Sequence, residues 1–67
     1  MSVARVTEIS ASSPTSFEDA LEVGVARAAK TLKNVEGAWI QQQKVIVKNG
    51  TISEYRVNLK VTFVLEE

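Results

Sequence analysis

Two long strand-like runs joined by Asn49-Gly50 constrain this chain more than any other feature. Asn-Gly is the dipeptide best suited to the two positive φ values of a type I′ hairpin turn. Beyond it the chain alternates without a break. Tyr55, Val57, Leu59, Val61, Phe63 and Leu65 project one way, and Arg56, Asn58, Lys60, Thr62 and Val64 the other. Before it the run begins at Gly37. Strict alternation puts Gly37, Trp39, Gln41 and Gln43 on one face and Ala38, Ile40 and Gln42 on the opposite one. A hairpin this long, with one apolar and one mixed face, is not stable alone and needs a cover.

The upstream half supplies one. Val3 to Ile9 reads as a short strand carrying β-branched Val3, Val6, Thr7 and Ile9. Ser10-Ala11-Ser12-Ser13-Pro14 reads as the turn that ends it and provides helix caps. Thr15 with Glu18, or Ser16 with Asp19, has the spacing of a capping box. From Ser16 to Lys33 the period is helical, with Phe17, Leu21, Gly24, Ala28 and Leu32 on one stripe that Ala20 and Val25 widen. Glu18, Asp19 and Glu22 suit the positive end of the helix dipole; Arg27, Lys30 and Lys33 suit the negative end. Asn34 to Gly37 is the exit.

The order is therefore β-α-β-β, an α+β fold forming one domain over residues 1–67. The first two strands run the same way. A fully antiparallel three-stranded sheet then requires the third strand between them, order 1-3-2, wrapped around the helix.

At 67 residues the chain is near the lower limit for independent folding. It has no Cys, so no disulfide or thiolate metal site, and no His, the commonest metal ligand and general base. Oligomerisation is the remaining source of stability. A helix of about 18 residues spans ~27 Å, whereas a last strand of about 14 residues spans ~46 Å. One helix leaves part of the hairpin bare, and Trp39, Val64 and the Phe63 end would form a sticky patch on a monomer. A closed homo-oligomer is expected.

Eight basic residues balance eight acidic ones, without a basic block. Nucleic acid and anionic membranes both require concentrated positive charge and are not expected partners. The start MSVARVTEIS is too polar for a signal peptide, and no apolar run approaches the roughly 20 residues of a membrane span, so a cytoplasmic protein is expected. Asn49-Gly50-Thr51 matches the glycosylation pattern but serves more simply as a turn. Catalysis has no visible constellation, and an enzyme is not expected. Calcium wants six to eight oxygens. With Asp19 the one Asp, only an oligomer could gather Glu8, Glu54 or Glu66-Glu67 around an axis.

Taken together, Val6-Thr7-Glu8-Ile9, Ser12-Ser13-Pro14, Ala26-Arg27-Ala28 with Thr31-Leu32, and Tyr55 to Phe63 resemble the dodecins along nearly the whole chain. The resemblance implies a twelve-subunit homo-oligomeric shell that binds a small ligand, in most members a flavin (FMN or riboflavin), for storage. In flavin-binding members a Trp near the start of the second strand stacks on the ring, and a Gln after the Tyr of the third strand bonds its edge. Here Gly37 and Arg56 stand at those positions. A guanidinium donates to ring carbonyls but cannot accept from a ring N–H. The chain is more similar to a branch without that Trp, which includes calcium-binding members.

Trp39 shares the face of Gly37, so it is either a displaced stacking plate or a subunit contact. Gln41, Gln42 and Gln43 offer amides to a ligand, or are polar strand positions. Lys44 aligns with a basic residue near a phosphate group in bacterial flavin-binding members, or is a solvated edge lysine. Arg56 and Lys60, on one face, either meet acids of a neighbouring subunit or line an anion pocket.

Overall fold

The computed structural model describes residues 3–65. It has strand β1 (Val3–Ser13), helix α1 (Phe17–Thr31), strand β2 (Val35–Lys48) and strand β3 (Thr51–Leu65). The sheet is antiparallel in the order β1-β3-β2, with the unbroken alternator β3 in the middle, as its sequence requires. Asn49 and Gly50 take φ values of 54° and 75°, the positive pair that closes a tight hairpin.

β1 runs four residues further than its β-branched content suggests. Ser10, Ala11, Ser12 and Ser13 form no turn; they pair with Asn58, Val57, Arg56 and Tyr55. Cross-strand pairing overrides their weak strand preference, and the small side chains of Ala11 and Ser13 fit beneath the helix. Ser13 is buried. Its hydroxyl donates to Asp19 Oδ2 at 2.6 Å and accepts from the Thr15 amide at 2.9 Å. Pro14 then ends the strand. Ser16 is the N-cap, accepting from the Asp19 amide at 3.0 Å. Asp19 turns to Ser13 instead of reaching back to the cap, so half of the expected capping box is replaced by a tie to β1.

The helix stops at Thr31, two residues before Lys33. Leu32 is extended there, its amide bonding to the Ala28 carbonyl at 2.9 Å, and Asn34 takes a left-handed φ of 59°. This reversal lets Val35 and Leu32 turn onto the core, so β2 begins two residues earlier than Gly37.

Ala20, Gly24 and Ala28 lie buried on the inner side of α1, against Val57, Leu59 and Val61 of β3. A Cβ at Gly24 would stand 2.7 Å from Leu59 Cδ1 and 3.1 Å from Ala11 Cβ. Close approach of helix and sheet thus requires glycine at this position, despite its cost in a helix interior of ~1 kcal/mol. Phe17 closes the start of the helix edge-on to Tyr55, ring centroids 5.2 Å apart. At 15 residues the helix spans about 22 Å, on a molecule 51 Å long. Val47 and Ile52 near the hairpin tip are half exposed, as are Val3 and Trp39. Phe63 and Val64 are partly covered, so the apolar surface left over is less concentrated at that end than expected.

Candidate functional site

The sheet has two chemically different faces, and the strand register shows which residues share each. Ile9–Leu59–Ile40 and Thr7–Val61–Ala38 are rows on the helix side. Between them run the rows of the open face: Val6–Thr62–Gly37, Glu8–Lys60–Trp39, Ser10–Asn58–Gln42 and Ser12–Arg56–Lys44. Cross-strand partners in a row point the same way and neighbour one another. The open face is thus a largely polar ladder with one aromatic ring in it and exposed Val6 at one end.

β2 reaches this arrangement through shifts in register. Ile40 opposes Leu59 and Gln42 opposes Asn58, so Gln41 is an extra residue. Such a bulge moves every following side chain to the other face. The face expected from strict alternation is therefore corrected beyond Ile40. Gln42, not Gln41 or Gln43, joins Trp39 on the open side, and Gln43 stands opposite buried Val57. A second shift between Val35 and Gly37 makes Glu36 the extra residue there, and a third lies between Ile46 and Val47.

Three polar contacts order the open face. Asn58 Nδ2 lies 3.5 Å from Gln42 Oε1, Lys60 Nζ lies 3.5 Å from Glu8 Oε1, and Arg56 Nη2 lies 3.3 Å from Glu54 Oε1. Solvent reaches these pairs, and each contributes little to stability. An open cavity of about 400 Å³ is lined by Gln42, Gln43, Lys44, Arg56 and Asn58, all of them polar. Trp39 is not in its wall. Trp39 lies one row further along, about 7 Å by strand geometry, and is 50% exposed.

Gly37 lies on the open face opposite Thr62, and a Cβ added there would meet no atom within 4 Å, so the space beside it is empty. Trp39, Lys44 and Arg56 share that face, Lys44 directly opposite Arg56. Gln43 reaches the cavity wall despite its pairing with Val57. Asn58 also belongs to the constellation, although sequence reasoning does not single it out as a ligand contact, and Glu54, considered there only for calcium, lies beside it through its contact with Arg56. Asn58's place midway between Arg56 and Lys60 in an alternating strand is the signal that could have found it. Among the described residues, no group of three or more His, Cys, Asp or Glu is placed to hold a metal ion. Glu66 and Glu67, candidates for a shared calcium site, lie outside the described residues. No helix among those residues is long and apolar enough to cross a membrane.

Known proteins share this geometry. The family model described as Dodecin matches residues 3–66. Calcium dodecin of Mycobacterium tuberculosis is 35% identical over 63 residues, covering 94% of this chain and 89% of its own. Its crystal structure superposes with a TM-score of 0.82 at 34% identity, covering 96% and 91% of the two chains. The dodecin of Streptomyces coelicolor superposes with a TM-score of 0.93 at 32% identity, covering 98% and 94%.

Proposed function

This chain belongs to the dodecin family, whose members are non-enzymatic proteins that form ligand-binding dodecamers, and on that premise we propose that it sequesters a flavin, FMN or riboflavin. Each subunit is a single dodecin-like domain in a homododecamer, with Trp39 as the stacking plate. The observation that carries the reading is the half-exposed indole on a largely polar face, one row from the Gln42–Asn58 amide pair. A flat heteroaromatic ring wants an aromatic surface beneath it and amide donors and acceptors at its edge. Empty space at Gly37 leaves room for a ring displaced from the position used by relatives with an aromatic residue there. Lys44 and Arg56 lie at the other end of the ladder, where a ribityl or phosphate tail would extend.

Titrating the protein into riboflavin or FMN and following flavin emission tests this directly. Quenching at micromolar protein is expected, accompanied by a change in Trp39 emission. Trp39→Ala should weaken binding by about 1–3 kcal/mol, the usual worth of one aromatic stacking contact. Unchanged flavin and Trp39 emission would overturn the reading. Native mass spectrometry should find about twelve chains, since family membership and the uncovered length of sheet both call for assembly; a stable monomer would contradict this.

The 35% identity to calcium dodecin supports a second reading, in which the same shell binds calcium and Trp39 serves packing. Arg56 in place of the family's amide, and Gly37 in place of its aromatic, favour that branch. Glu8, Glu54 and Glu66-Glu67 would have to converge from several subunits to supply the oxygens. A ligand specific to the native state raises apparent stability. Melting that is indifferent to calcium and to EGTA removes this reading.

A further inference from the structure

The hairpin tip sets a side-chain amide beside an unhindered backbone nitrogen. Asn49 is followed by Gly50, whereas Asn34 precedes Val35 and Asn58 precedes Leu59. Both tip residues are exposed. The Asn49 carboxamide and the Gly50 N–H form no hydrogen bond with any described residue, and a Cβ built at Gly50 would meet nothing within 4 Å. The nitrogen is therefore unpaired, solvated and without a side chain to shield it. Short polar side chains such as Asn reach the backbone groups next to them, so the Asn49 carbonyl carbon comes within its range by local bond rotation. Only the fold opposes this. Asn49 and Gly50 are held at φ values of 54° and 75°, Lys48 is paired with Thr51, and the Thr51 hydroxyl donates to the Asn49 backbone carbonyl across a long 3.4 Å.

We propose that Asn49 is a self-modification site, deamidated by attack of its own neighbour whenever the hairpin tip opens. The Gly50 nitrogen gives its proton to solvent and bonds to Asn49 Cγ, closing a five-membered succinimide. The Cγ–Nδ2 bond breaks, and Nδ2 takes up a proton and leaves as ammonia. Water then opens the ring. Breaking the new bond at Cγ gives aspartate, and breaking the original peptide bond gives isoaspartate, with the chain running through Cγ. Nothing is oxidised or reduced, and water is the one co-reactant. Either product adds a negative charge to a chain whose eight basic and eight acidic residues otherwise balance. Isoaspartate also inserts a methylene into a two-residue loop whose length fixes the hairpin register. Val47 and Ile52, the half-exposed pair behind the turn, are the first to lose their packing. The site is independent of the ligand: it marks the age of each subunit by charge, at a rate set by local opening of the tip.

Incubating the assembled protein in mildly alkaline buffer, beside the same chain unfolded in urea, tests the site. Samples taken over time are resolved by charge and mapped by peptide mass spectrometry. Asn49 should convert to a mixture of aspartate and isoaspartate while Asn34 and Asn58 stay intact. Conversion in the folded protein should be about tenfold slower than in urea, because only the opened fraction of tips reacts. N49G keeps a turn sequence that tolerates positive φ and should gain no charge. Freshly prepared N49D carries the charge on a normal backbone. Amide exchange at Val47 and Ile52 should therefore quicken in isoaspartate-containing protein and stay at the wild-type rate in N49D. An Asn49 that survives in the folded protein after the unfolded chain has fully converted overturns the proposal. So does aspartate without isoaspartate, which would mean direct hydrolysis with no part for Gly50. Equal rates folded and unfolded, or conversion of Asn34 or Asn58 as fast as Asn49, would show that neither the turn nor its glycine controls the reaction.

Discussion

The two edge strands pair with the same central strand in different ways. β1 follows β3 through eleven consecutive partners, Val3 opposite Leu65 to Ser13 opposite Tyr55, without a shift. β2 departs from regular register at three places in fourteen residues. The helix explains much of the contrast. Gly24 stands over Ala11 and Ile9 of β1 and Leu59 of β3, and Ser13 is tied to Asp19 at the helix start. β1 is held between two partners, so each of its residues has a fixed side. On β2, Val35 and Ile40 pack against the core cluster, and the register shifts fall between and beyond them. The open-face groups that could bind a ligand follow the same division. β1 contributes Ser10, Ser12 and Glu8, whereas Trp39, Gln42 and Lys44 come from β2. The rigid edge fixes the sheet, and the adaptable edge carries the larger side chains.

Shortening the rigid edge should do the most damage. Deleting Ser10 shifts Val3–Ile9 by one position, turning Ile9 and Thr7 away from the helix and Glu8 toward it. An unpaired carboxylate on an apolar face costs about 3 kcal/mol or more, a large part of what a domain this small has available. We expect loss of the cooperative melt seen by circular dichroism. A variant that melts like the wild type would show that β1 is not fixed in register.

A smaller loss is expected from Gly24→Val, where the new side chain meets Leu59 Cδ1 and Ala11 Cβ. Overpacking of this kind costs about 1–3 kcal/mol. Because the helix leans on β1 more than on β2, the two edges should respond unequally. Hydrogen exchange should quicken at Ile9 and Ala11 of β1 more than at Gln42 and Gln43 of β2. Equal loosening of both edges would mean that the helix braces the whole sheet and not one side of it.

The same difference decides what can be read in the sequence. β3 is legible residue by residue because apolar and polar positions alternate from Tyr55 to Leu65, and its central place follows from chain direction. The hairpin is legible because Asn49-Gly50 demands positive φ. The end of β1 is not, since Ser10 to Ser13 have turn-like composition and become strand only through their partners on β3. In β2, Gln41, Gln42 and Gln43 are chemically identical, so no hydrophobic pattern marks which one is extra. Strict alternation consequently places Gln41 and Gln43 beside Trp39, where the register puts Gln42. The Arg56–Glu54 pair is hidden for another reason: period two brings them to one face, but side-chain rotamers determine that they touch.

The smallest effect is expected from deleting Gln41, and its smallness is the informative part. Removing that residue leaves Ile40 on the helix side and Gln42 next to it on the open side, which is the alternation a regular strand would have. Ile40 can still oppose Leu59, Gln42 can still oppose Asn58, and Lys44 can still oppose Arg56. The pairing is conserved while local twist decreases, because a bulge adds twist to the strand that carries it. Stability should change by no more than about 1 kcal/mol, within the range of mild surface changes. Cross-strand nuclear Overhauser contacts should still join Gln42 to Asn58. Finding Gln43 against Asn58 instead would mean that β2 is positioned from the hairpin tip by a different register, and that the bulge only absorbs the mismatch. With the register kept, any change in flavin quenching isolates the contribution of twist to the angle at which Trp39 is presented, because no side chain of the ladder has been altered.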